Sequence, residues 1–339
     1  MNLIQPIQMI GTQRSGSNLL RLLLNQYPSI VAPHPPHILQ RFFPLLSVYG
    51  DLSVRENMAE LTNDICLLVE KNPVPWKGIS LDRERIVSSC QSANIVQIFR
   101  EVYDEMARCN GASMWICKSM ANVQFADLME QQGLEPLYIY LYRDGRDVAC
   151  SFKKAIVGEK HVYHIAKQWR KDQLECLRLR EKTTPDRFFQ ISYESLIQTP
   201  EVEMIRLSDF LKLNYDPAIF NYYQSDESKN TSIAGKMWAN VARPIFENNS
   251  KKYLTELSKE EVVIFESVAG DVLEILGYRL EYPELSGELL ITDDDVLMFD
   301  QENSRLKEQA NLTADPDGLK LREPQDNLIA GIKGRLMIG

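Results

Sequence analysis

The sequence lacks the features on which several large classes of protein depend. It has no apolar run of transmembrane length, and its N-terminus has no cationic segment followed by an apolar core. Its six cysteines are scattered without C-x-x-C spacing, which is typical of reduced thiols rather than of a disulfide framework or a zinc site. We therefore expect a cytoplasmic protein without a transmembrane segment.

Positive charge is also scarce. The chain has 38 lysines and arginines against 47 acidic residues, and its formal net charge of −9 argues against wholesale binding to nucleic acid or to a polyanionic glycan. With 339 residues and 44% hydrophobic content, the chain can bury one substantial core. Alternating strand and helix signals predict one main α/β domain.

The glycine-rich loop near the N-terminus lacks two residues that a kinase needs. Gly11 and Gly16 keep the spacing of the Walker A sequence G-x-x-x-x-G-K-[ST]. Ser17, however, stands where the loop lysine belongs, and Asn18 stands where a hydroxyl would hold Mg²⁺. The loop is therefore predicted to bind a phosphate without a metal.

The flanking sequence supplies the strand and the helix that such a loop requires. Residues 4–10 form a short apolar stretch, and the leucine-rich residues 19–24 predict a helix interrupted only by Arg21. Backbone N–H groups at the start of that helix bind an anion directly, and Arg14 supplies a mobile cation. The alternative is a Gly/Ser turn that enters a buried helix and binds nothing.

A second basic motif follows another apolar run. Residues 137–142 predict a strand, so Arg143 lies at a carboxyl end, where open parallel sheets bind ligands. Its guanidinium can fork onto a phosphate there, and Ser151, two turns into the next helix, can donate to the same anion. In isolation, the alternating arginines and aspartates of residues 143–147 would indicate surface ion pairs. Their combination with the first loop favours an anion site.

Together these two motifs resemble those of the sulfotransferases that use 3′-phosphoadenosine-5′-phosphosulfate (PAPS). Residues 11–18 are similar to the family's 5′-phosphosulfate loop, and residues 143–151 are similar to its 3′-phosphate site. The sequence Tyr-Glu-Ser-Leu at 193–196, after the apolar run 188–191, is similar to the family's strand end near the adenine. The resemblance implies that PAPS is bound by Gln13, Arg14, Ser15, Gly16, Ser17, Asn18, Arg143, Ser151 and Tyr193.

The resemblance covers roughly residues 4–278 and implies an α/β, P-loop-like three-layer fold with a central, mainly parallel sheet flanked by helices. We therefore expect a sulfotransferase domain over residues 1–283 and a C-terminal extension over residues 284–339. The extension mixes acidic and short apolar segments. Its role has three alternatives: it folds over the core, it mediates a homodimer, or it is partly disordered. Residues 329–332 are a candidate docking segment.

Lys118 is a candidate catalytic residue. It follows the apolar run 114–117, so it too is expected at the sheet edge. It matches the family lysine that bridges the donor and the transferring sulfuryl group, and Arg14 matches a basic residue of the loop. Many cytosolic members carry their catalytic histidine two residues after that lysine, where this chain has Met120. A thioether cannot take a proton from an acceptor hydroxyl.

The proline-rich residues 32–38 offer a replacement base. They contain His34 and His37, two of only four histidines in the chain. Related members place a base in this loop, and an unperturbed histidine pKa of about 6.5 leaves much of the side chain neutral at pH 7. The alternative is a stiff loop whose histidines cap a helix or face solvent. His161 and His164 share a helix face without a third metal ligand nearby, which indicates a helix surface rather than a zinc site.

Acceptor specificity is expected in residues 41–110, which have helical texture and a break at 72–76. Aromatic residues there are expected to pack in the core, with an apolar acceptor pocket as the alternative. These aromatic residues are Phe42, Phe43, Tyr49 and Trp76.

The resemblance implies metal-independent transfer of the sulfuryl group from PAPS to a hydroxyl or amine of a small-molecule or lipid-like acceptor. Adenosine 3′,5′-bisphosphate (PAP) is the product that is released. The acidic composition makes a neutral or cationic acceptor the easiest to accommodate. Two alternatives remain open. One is a non-catalytic PAP- or PAPS-binding protein, which Met120 favours, and the other is a P-loop small-molecule kinase, against which Ser17 and Asn18 count.

Overall fold

A computed structural model describes residues 4–335 of the chain. Five strands form one sheet in which every neighbouring pair is parallel. The strands are β1 (Gln5–Ile10), β2 (Ile30–Val31), β3 (Met114–Cys117), β4 (Leu137–Tyr142) and β5 (Phe188–Ser192), and their spatial order is β2-β3-β1-β4-β5. The strands predicted before the loop, Lys118, Arg143 and Tyr193 are all present.

Helices connect the strands and form a long C-terminal region. The α-helices are α1 (Ser17–Leu24), α2 (Ile38–Phe42), α3 (Arg55–Glu70), α4 (Arg83–Ser89), α5 (Ile95–Cys109), α6 (Ala126–Gln131), α7 (Gly145–Lys154), α8 (Val162–Lys182), α9 (Tyr193–Gln198), α10 (Pro200–Phe210), α11 (Asp226–Ile233), α12 (Tyr253–Glu256), α13 (Lys259–Ile275), α14 (Pro283–Glu288), α15 (Asp293–Leu312) and α16 (Pro316–Arg335). Short 3-10 helices lie at Phe43–Tyr49, Met120–Phe125, Pro185–Arg187, Pro217–Gln224 and Lys236–Ala242. None of the helices described is long and apolar enough to cross a membrane.

Helices cover both faces of the sheet. Tyr138 and Tyr140 of β4 pack in one core with α3 and α5, whereas Ile139 and Leu141 pack in a second core with α1 and α10. Successive residues of a strand point to opposite faces, so each face buries its own set of apolar side chains. The result is the predicted three-layer α/β arrangement.

The strand order creates a switch point between β1 and β4. The connection after β1 leads through α1 to β2 on one side of the sheet, and the connection after β4 leads through α7 and α8 to β5 on the other. The loops that leave the two strands therefore diverge and open a crevice at the carboxyl edge, where open α/β sheets bind ligands. The glycine-rich loop and Arg143 flank this crevice.

The joint between β4 and α7 is tightly packed. A Cβ on Gly145 would lie 2.5 Å from the Phe265 ring and 2.7 Å from the Trp169 ring. The Trp169 indole N–H donates to the carbonyl of Arg143 over 3.2 Å. This packing against α8 and α13 fixes the backbone from which the Arg143 side chain projects.

The aromatic residues of the 41–110 region are mostly in the core. Phe42, Tyr49 and Trp76 are buried in the cluster that covers one sheet face, in agreement with core packing. Phe43 is 43% exposed and contacts Phe125 with ring centroids 5.2 Å apart.

The C-terminal extension folds over the core within the residues described. Asn303 of α15 accepts hydrogen bonds from the backbone N–H groups of Lys160 and His161, at 2.8 and 3.0 Å. The His161 ring stacks on Phe299, 4.4 Å between centroids, so it packs against α15. Ile332 of the candidate docking segment is fully buried in the core beside α3. Residues 336–339 lie outside the described part of the extension, and the division at residue 283 stays a prediction.

Candidate active site

The loop after β1 approaches its neighbours so closely that two of its positions require glycine. Gly11 has φ 131°, and a Cβ there would lie 2.2 Å from the carbonyl oxygen of Leu141 on β4. Gly16 has φ 86°, and its Cβ would lie 2.3 Å from the ring of Tyr193. Because L side chains rarely adopt these φ values, any larger residue would displace the loop. The loop therefore lies directly across the ends of β4 and β5.

The loop ends at the start of α1, where its backbone and side chains offer hydrogen-bond donors. Gly16 is the N-cap of this helix, whose first turn contains no acidic residue. The first N–H groups of a helix have no intrahelical partner and favour an anion. Ser15 is fully buried, and its hydroxyl has no hydrogen-bond partner among the described protein atoms. Gln13 lies half-buried beside it, and Ser17 and Asn18 are buried.

Arg14, Arg143 and Ser151 meet at the β1–β4 crevice. The Arg14 Nε donates to the Ser151 hydroxyl over 2.9 Å, and Arg143 Nη1 donates to the Arg14 carbonyl over 3.3 Å. Burial, and secondly the charge of Arg143, lower the pKa of Arg14 to about 10. Two guanidiniums held side by side out of water repel each other, and a bound anion would offset that repulsion.

Arg143 is held in place from several directions. It is 6% exposed, and its Nη2 donates to the carbonyl of Asn249 over 2.8 Å and to Asp147 over 3.3 Å. Its guanidinium carbon lies 4.4 Å from the centre of the Tyr193 ring. Its Nε has no partner within the described structure, so one donor of the fork remains for a ligand.

Tyr193 is brought to the same place by the end of β5. It is 5% exposed and packs under both Gly16 and Arg143. Glu194 beside it accepts hydrogen bonds from the Asp144 backbone N–H at 3.1 Å and from the Tyr278 hydroxyl at 2.8 Å. The Tyr-Glu pair thus ties the ends of β4 and β5 together, while the position of Tyr193 near an adenine stays a prediction.

Lys118 follows β3, which pairs with β1 so that Cys117 lies opposite Gln8. Its side chain is half-buried. Burial, followed by the charges of Arg21 and Arg14, lowers the pKa of Lys118 to about 7. The ammonium therefore shares a poorly hydrated, positively charged space with two arginines, which is an environment that favours an anionic ligand.

His34 and His37 lie near Lys118 in the same buried, positively charged region. His34 is 6% exposed, and burial, then Lys118, Arg21 and His37, hold its pKa well below its usual range. Burial, then Lys118 and Arg41, lower the pKa of His37 to about 3. Both rings are consequently neutral at pH 7. The charge of Lys118 contributes to both pKa shifts, so residues 32–38, which we call the histidine loop, lie near the end of β3.

Both histidines also have buried ring nitrogens without a hydrogen-bond partner in the described structure. Neither nitrogen of His34, nor Nδ1 of His37, has a hydrogen-bond partner among residues 4–335. His37 has φ 61°, an unusual conformation for a non-glycine residue, and is the N-cap of α2 without a side-chain capping bond. His37 therefore does not serve as the helix cap that its alternative interpretation supposed.

Arg21 is an important residue that the sequence signal did not assign to the site. It is fully buried, and its guanidinium donates to the Ala32 carbonyl and the Glu227 carboxylate, both at 2.7 Å, and to the Thr231 hydroxyl at 2.9 Å. It joins α1 to the histidine loop and to α11. The available signal was its position as the one charged residue in a leucine-rich helix.

Met120 fills the position at which many family members have a histidine. It is 1% exposed, and its terminal methyl lies 3.1 Å from the point that a Gly11 Cβ would occupy. The side chain therefore packs beneath the loop after β1.

Comparisons with known proteins agree with this geometry. The profile described as the sulfotransferase family matches residues 6–217, more than half of the 339-residue chain. The sulfotransferase domain from the curacin biosynthetic pathway has 21% identity and a TM-score of 0.53, over 83% of this chain and 100% of that domain. The sulfotransferase domain of the Synechococcus PCC 7002 olefin synthase has 20% identity and a TM-score of 0.53, over 79% and 95% of the two chains. At these identities the two structures show a shared fold. No curated protein matches the chain significantly.

Proposed function

This chain belongs to the sulfotransferase family, and we propose that it transfers the sulfuryl group of PAPS to a hydroxyl or amine of a small-molecule or lipid-like acceptor and releases PAP. The observation that carries this proposal is the meeting of Arg14, Arg143 and Ser151 at the crevice between β1 and β4. That cluster and the start of α1 support the proposal, because each offers donors of the kind that bind phosphate groups.

The chemistry of the residues fits such a donor. The buried Ser15 hydroxyl and the Arg143 Nε are donors without partners in the described structure, and an anion would satisfy both. The lowered pKa values of Arg14 and Lys118 reflect positive charges crowded together away from water. A polyanion bound there would offset the repulsion and compensate the two charges for their lost hydration.

When bound, PAPS supplies a sulfuryl group activated by attachment to a phosphate oxygen. The α1 amides, Arg14 and Lys118 surround the predicted position of that phosphate and stabilise the negative charge that develops there as the group leaves. Each preorganised donor of this kind contributes about 3 kcal/mol to the stability of a transition state. Arg143 and Ser151 act mainly in holding the 3′-phosphate.

His34 and His37 are the candidate bases that take the acceptor proton at an unpartnered ring nitrogen. In the free protein their pKa values are too low for strong bases, mainly because both rings are buried and secondly because of the charge of Lys118. An anion bound beside Lys118 offsets that charge and raises the pKa of both imidazoles. Donor binding would thus prepare the base for its task.

A non-catalytic PAP-binding protein is the second candidate, and Met120 favours it. The buried thioether beneath the loop takes the place of a proton acceptor. This candidate predicts tight PAP binding with no transfer to any acceptor in a broad panel.

The test is calorimetric titration of the protein with PAP, and separately with ATP and Mg²⁺. Wild type is compared with Arg143→Ala and with Arg55→Ala, a control that removes an exposed arginine on α3. Metal-independent PAP binding that weakens only in Arg143→Ala supports the proposal. A preference for Mg·ATP, or PAP binding that is indifferent to Arg143, would overturn it.

A further inference from the structure

Helix α16 of the C-terminal extension presents three side chains to residues that contact the loop of residues 32–38, which carries His34 and His37. They are Arg322, Gln325 and Asp326, which share one side of the helix at spacings of one to four residues. Each reaches a different neighbour of the histidine loop.

Arg322 reaches His34 through Trp238. The guanidinium carbon lies 5.5 Å from the Trp238 ring centre, and the edge of that indole meets the His34 ring at 5.0 Å between centroids. Burial lowers the pKa of Arg322, which places its charge in a partly dry environment where a cation–π contact is strengthened. Arg322 therefore holds the indole that covers the His34 imidazole.

Gln325 is linked to the backbone of the same histidine through Asn72. It is 3% exposed, and its amide nitrogen donates to the Leu68 carbonyl over 2.7 Å and lies 3.4 Å from the Asn72 side-chain oxygen. Asn72 in turn donates to the His34 carbonyl over 2.9 Å. Gln325 thus orients the amide that fixes the His34 backbone.

Asp326 reaches the second histidine through α2. Its carboxylate lies 3.6 Å from a guanidinium nitrogen of Arg41, and the Arg41 backbone N–H donates to the His37 carbonyl over 3.0 Å. The charge of Arg41 is also one of the causes that lower the pKa of His37. This ion pair is partly exposed and weak by itself. Its effect on the loop therefore depends on the contacts that Arg322 and Gln325 make beside it.

From these three contacts we propose that α16 is a positioning element of the site, which holds the His34 and His37 segments in the arrangement that faces Lys118. The catalytic meaning of this positioning rests on the proposed sulfuryl transfer, in which these histidines are the candidate bases. The positioning itself is a property of the free protein. Arg322 and Gln325 act through Trp238 and Asn72, without touching the reacting groups.

The test uses NMR of the full chain with ¹⁵N-labelled histidine imidazoles. The chain has only four histidines, each with two ring nitrogens, and single histidine replacements assign their signals. The variants are Arg322→Gln and Gln325→Leu, with Arg322→Lys as the conservative rescue. Lys320→Gln and Glu323→Gln are matched controls, since both residues are exposed on the same helix.

In wild type, the His34 signal should stay that of a neutral imidazole well below the usual histidine pKa of about 6.5. In Arg322→Gln the indole is released and water reaches the ring, so His34 should titrate at a clearly higher pH than in wild type. Gln325→Leu should move the same signal in the same direction. Arg322→Lys should restore most of the wild-type behaviour, and both controls should match wild type.

His161 and His164 provide an internal control because they contact α15. His161 stacks on Phe299, and His164 Nε2 lies 3.1 Å from Asp300. If all four signals change together, the extension has undocked as a whole and the proposed positioning is wrong. Unchanged His34 and His37 signals in both variants would also overturn it.

PAP titrations of the same variants separate this inference from the proposed function. PAP affinity should be unchanged in Arg322→Gln and Gln325→Leu, because neither residue lies at the donor crevice. If wild type fails to bind PAP, the proposed function is wrong, and the histidine spectra still test the positioning role of α16. If PAP binds normally and the histidine signals do not change in the α16 variants, only the positioning role is wrong.

Discussion

Arg14 and Ser151 are joined by a hydrogen bond from the guanidinium Nε to the hydroxyl, 2.9 Å long, across 137 residues of sequence. This bond links the loop after β1 to the second turn of α7. It brings the predicted 5′-phosphosulfate loop and the predicted 3′-phosphate site into one continuous surface. A single ligand that spans both ends is thereby favoured over two independent anions.

Replacing Ser151 by Ala should weaken PAP binding about fivefold, since one neutral hydrogen bond contributes about 1 kcal/mol. The Arg14 guanidinium would also lose its fixed partner. Isothermal calorimetry measures the change, with Ser232→Ala, a partly exposed serine of α11, as the control. PAP affinity equal to that of wild type would remove Ser151 from the donor site.

Replacing Lys118 by Ala should lower kcat by about two to three orders of magnitude, because the ammonium stabilises charge that develops on the leaving phosphate. Donor affinity should fall by less. The measurement is PAP release with an acceptor from a screening panel, and Lys171→Ala removes an exposed lysine as the control. Unchanged turnover with weakened donor binding would assign Lys118 to binding alone.

PAP binding should weaken as the pH rises above 7. Lys118 has a pKa of about 7 in the free protein, and a bound anion raises that pKa. Above pH 7 binding must therefore take up a proton, and the dissociation constant should rise by up to about tenfold per pH unit until the pH reaches the bound-state pKa. Calorimetry at pH 8 in two buffers of different ionisation enthalpy measures the proton uptake.

The Lys118→Met variant is the control for that pH dependence, because it removes the titrating ammonium. It should show no proton uptake at pH 8. Uptake that persists in this variant would mean that another group is responsible.

Replacing Arg21 by Met should lower the free energy of unfolding by about 3 kcal/mol, because the Ala32 carbonyl and Glu227 would lose a buried charged donor. Urea unfolding measures the change, and Arg55→Met on the exposed face of α3 should have little effect. Adding Glu227→Gln should recover part of the loss, since the unpaired carboxylate is then removed. A full-strength loss in the double variant would contradict the ion-pair explanation.

Replacing the proton-accepting histidine by Gln should lower kcat by about two to four orders of magnitude with little change in PAP affinity. His34→Gln and His37→Gln are measured separately with the same acceptor, and His161→Gln is the control. Full turnover in both of the first two variants would exclude this loop as the source of the base.

The apolar runs before the loop, Lys118, Arg143 and Tyr193 each predicted a strand, and all four strands are confirmed. Short buried strands are readable because parallel sheets need continuous apolar stretches, and the polar residue after each run marks the carboxyl end. The α/β fold was predictable from the same runs, and the family was predictable from the motifs at residues 11–18, 143–151 and 193–196. The roles of the individual site residues stay predictions.

The sequence by itself determined which residues stand at strand ends, because apolar runs and the polar residues that follow them are local patterns. The spacing of Gly11 and Gly16 was also visible in the sequence, whereas the close approach of Leu141 and Tyr193 that excludes a larger side chain there belongs to the tertiary structure. Only the tertiary structure decided that Arg21 is buried against the histidine loop, that Lys118 lies close to two arginines, and that α16 reaches His34 through Trp238. Gln325 meets Leu68 across 257 residues. Contacts at such separations, and the pKa shifts that follow from burial, depend on how all the layers pack together, and no local pattern encodes them.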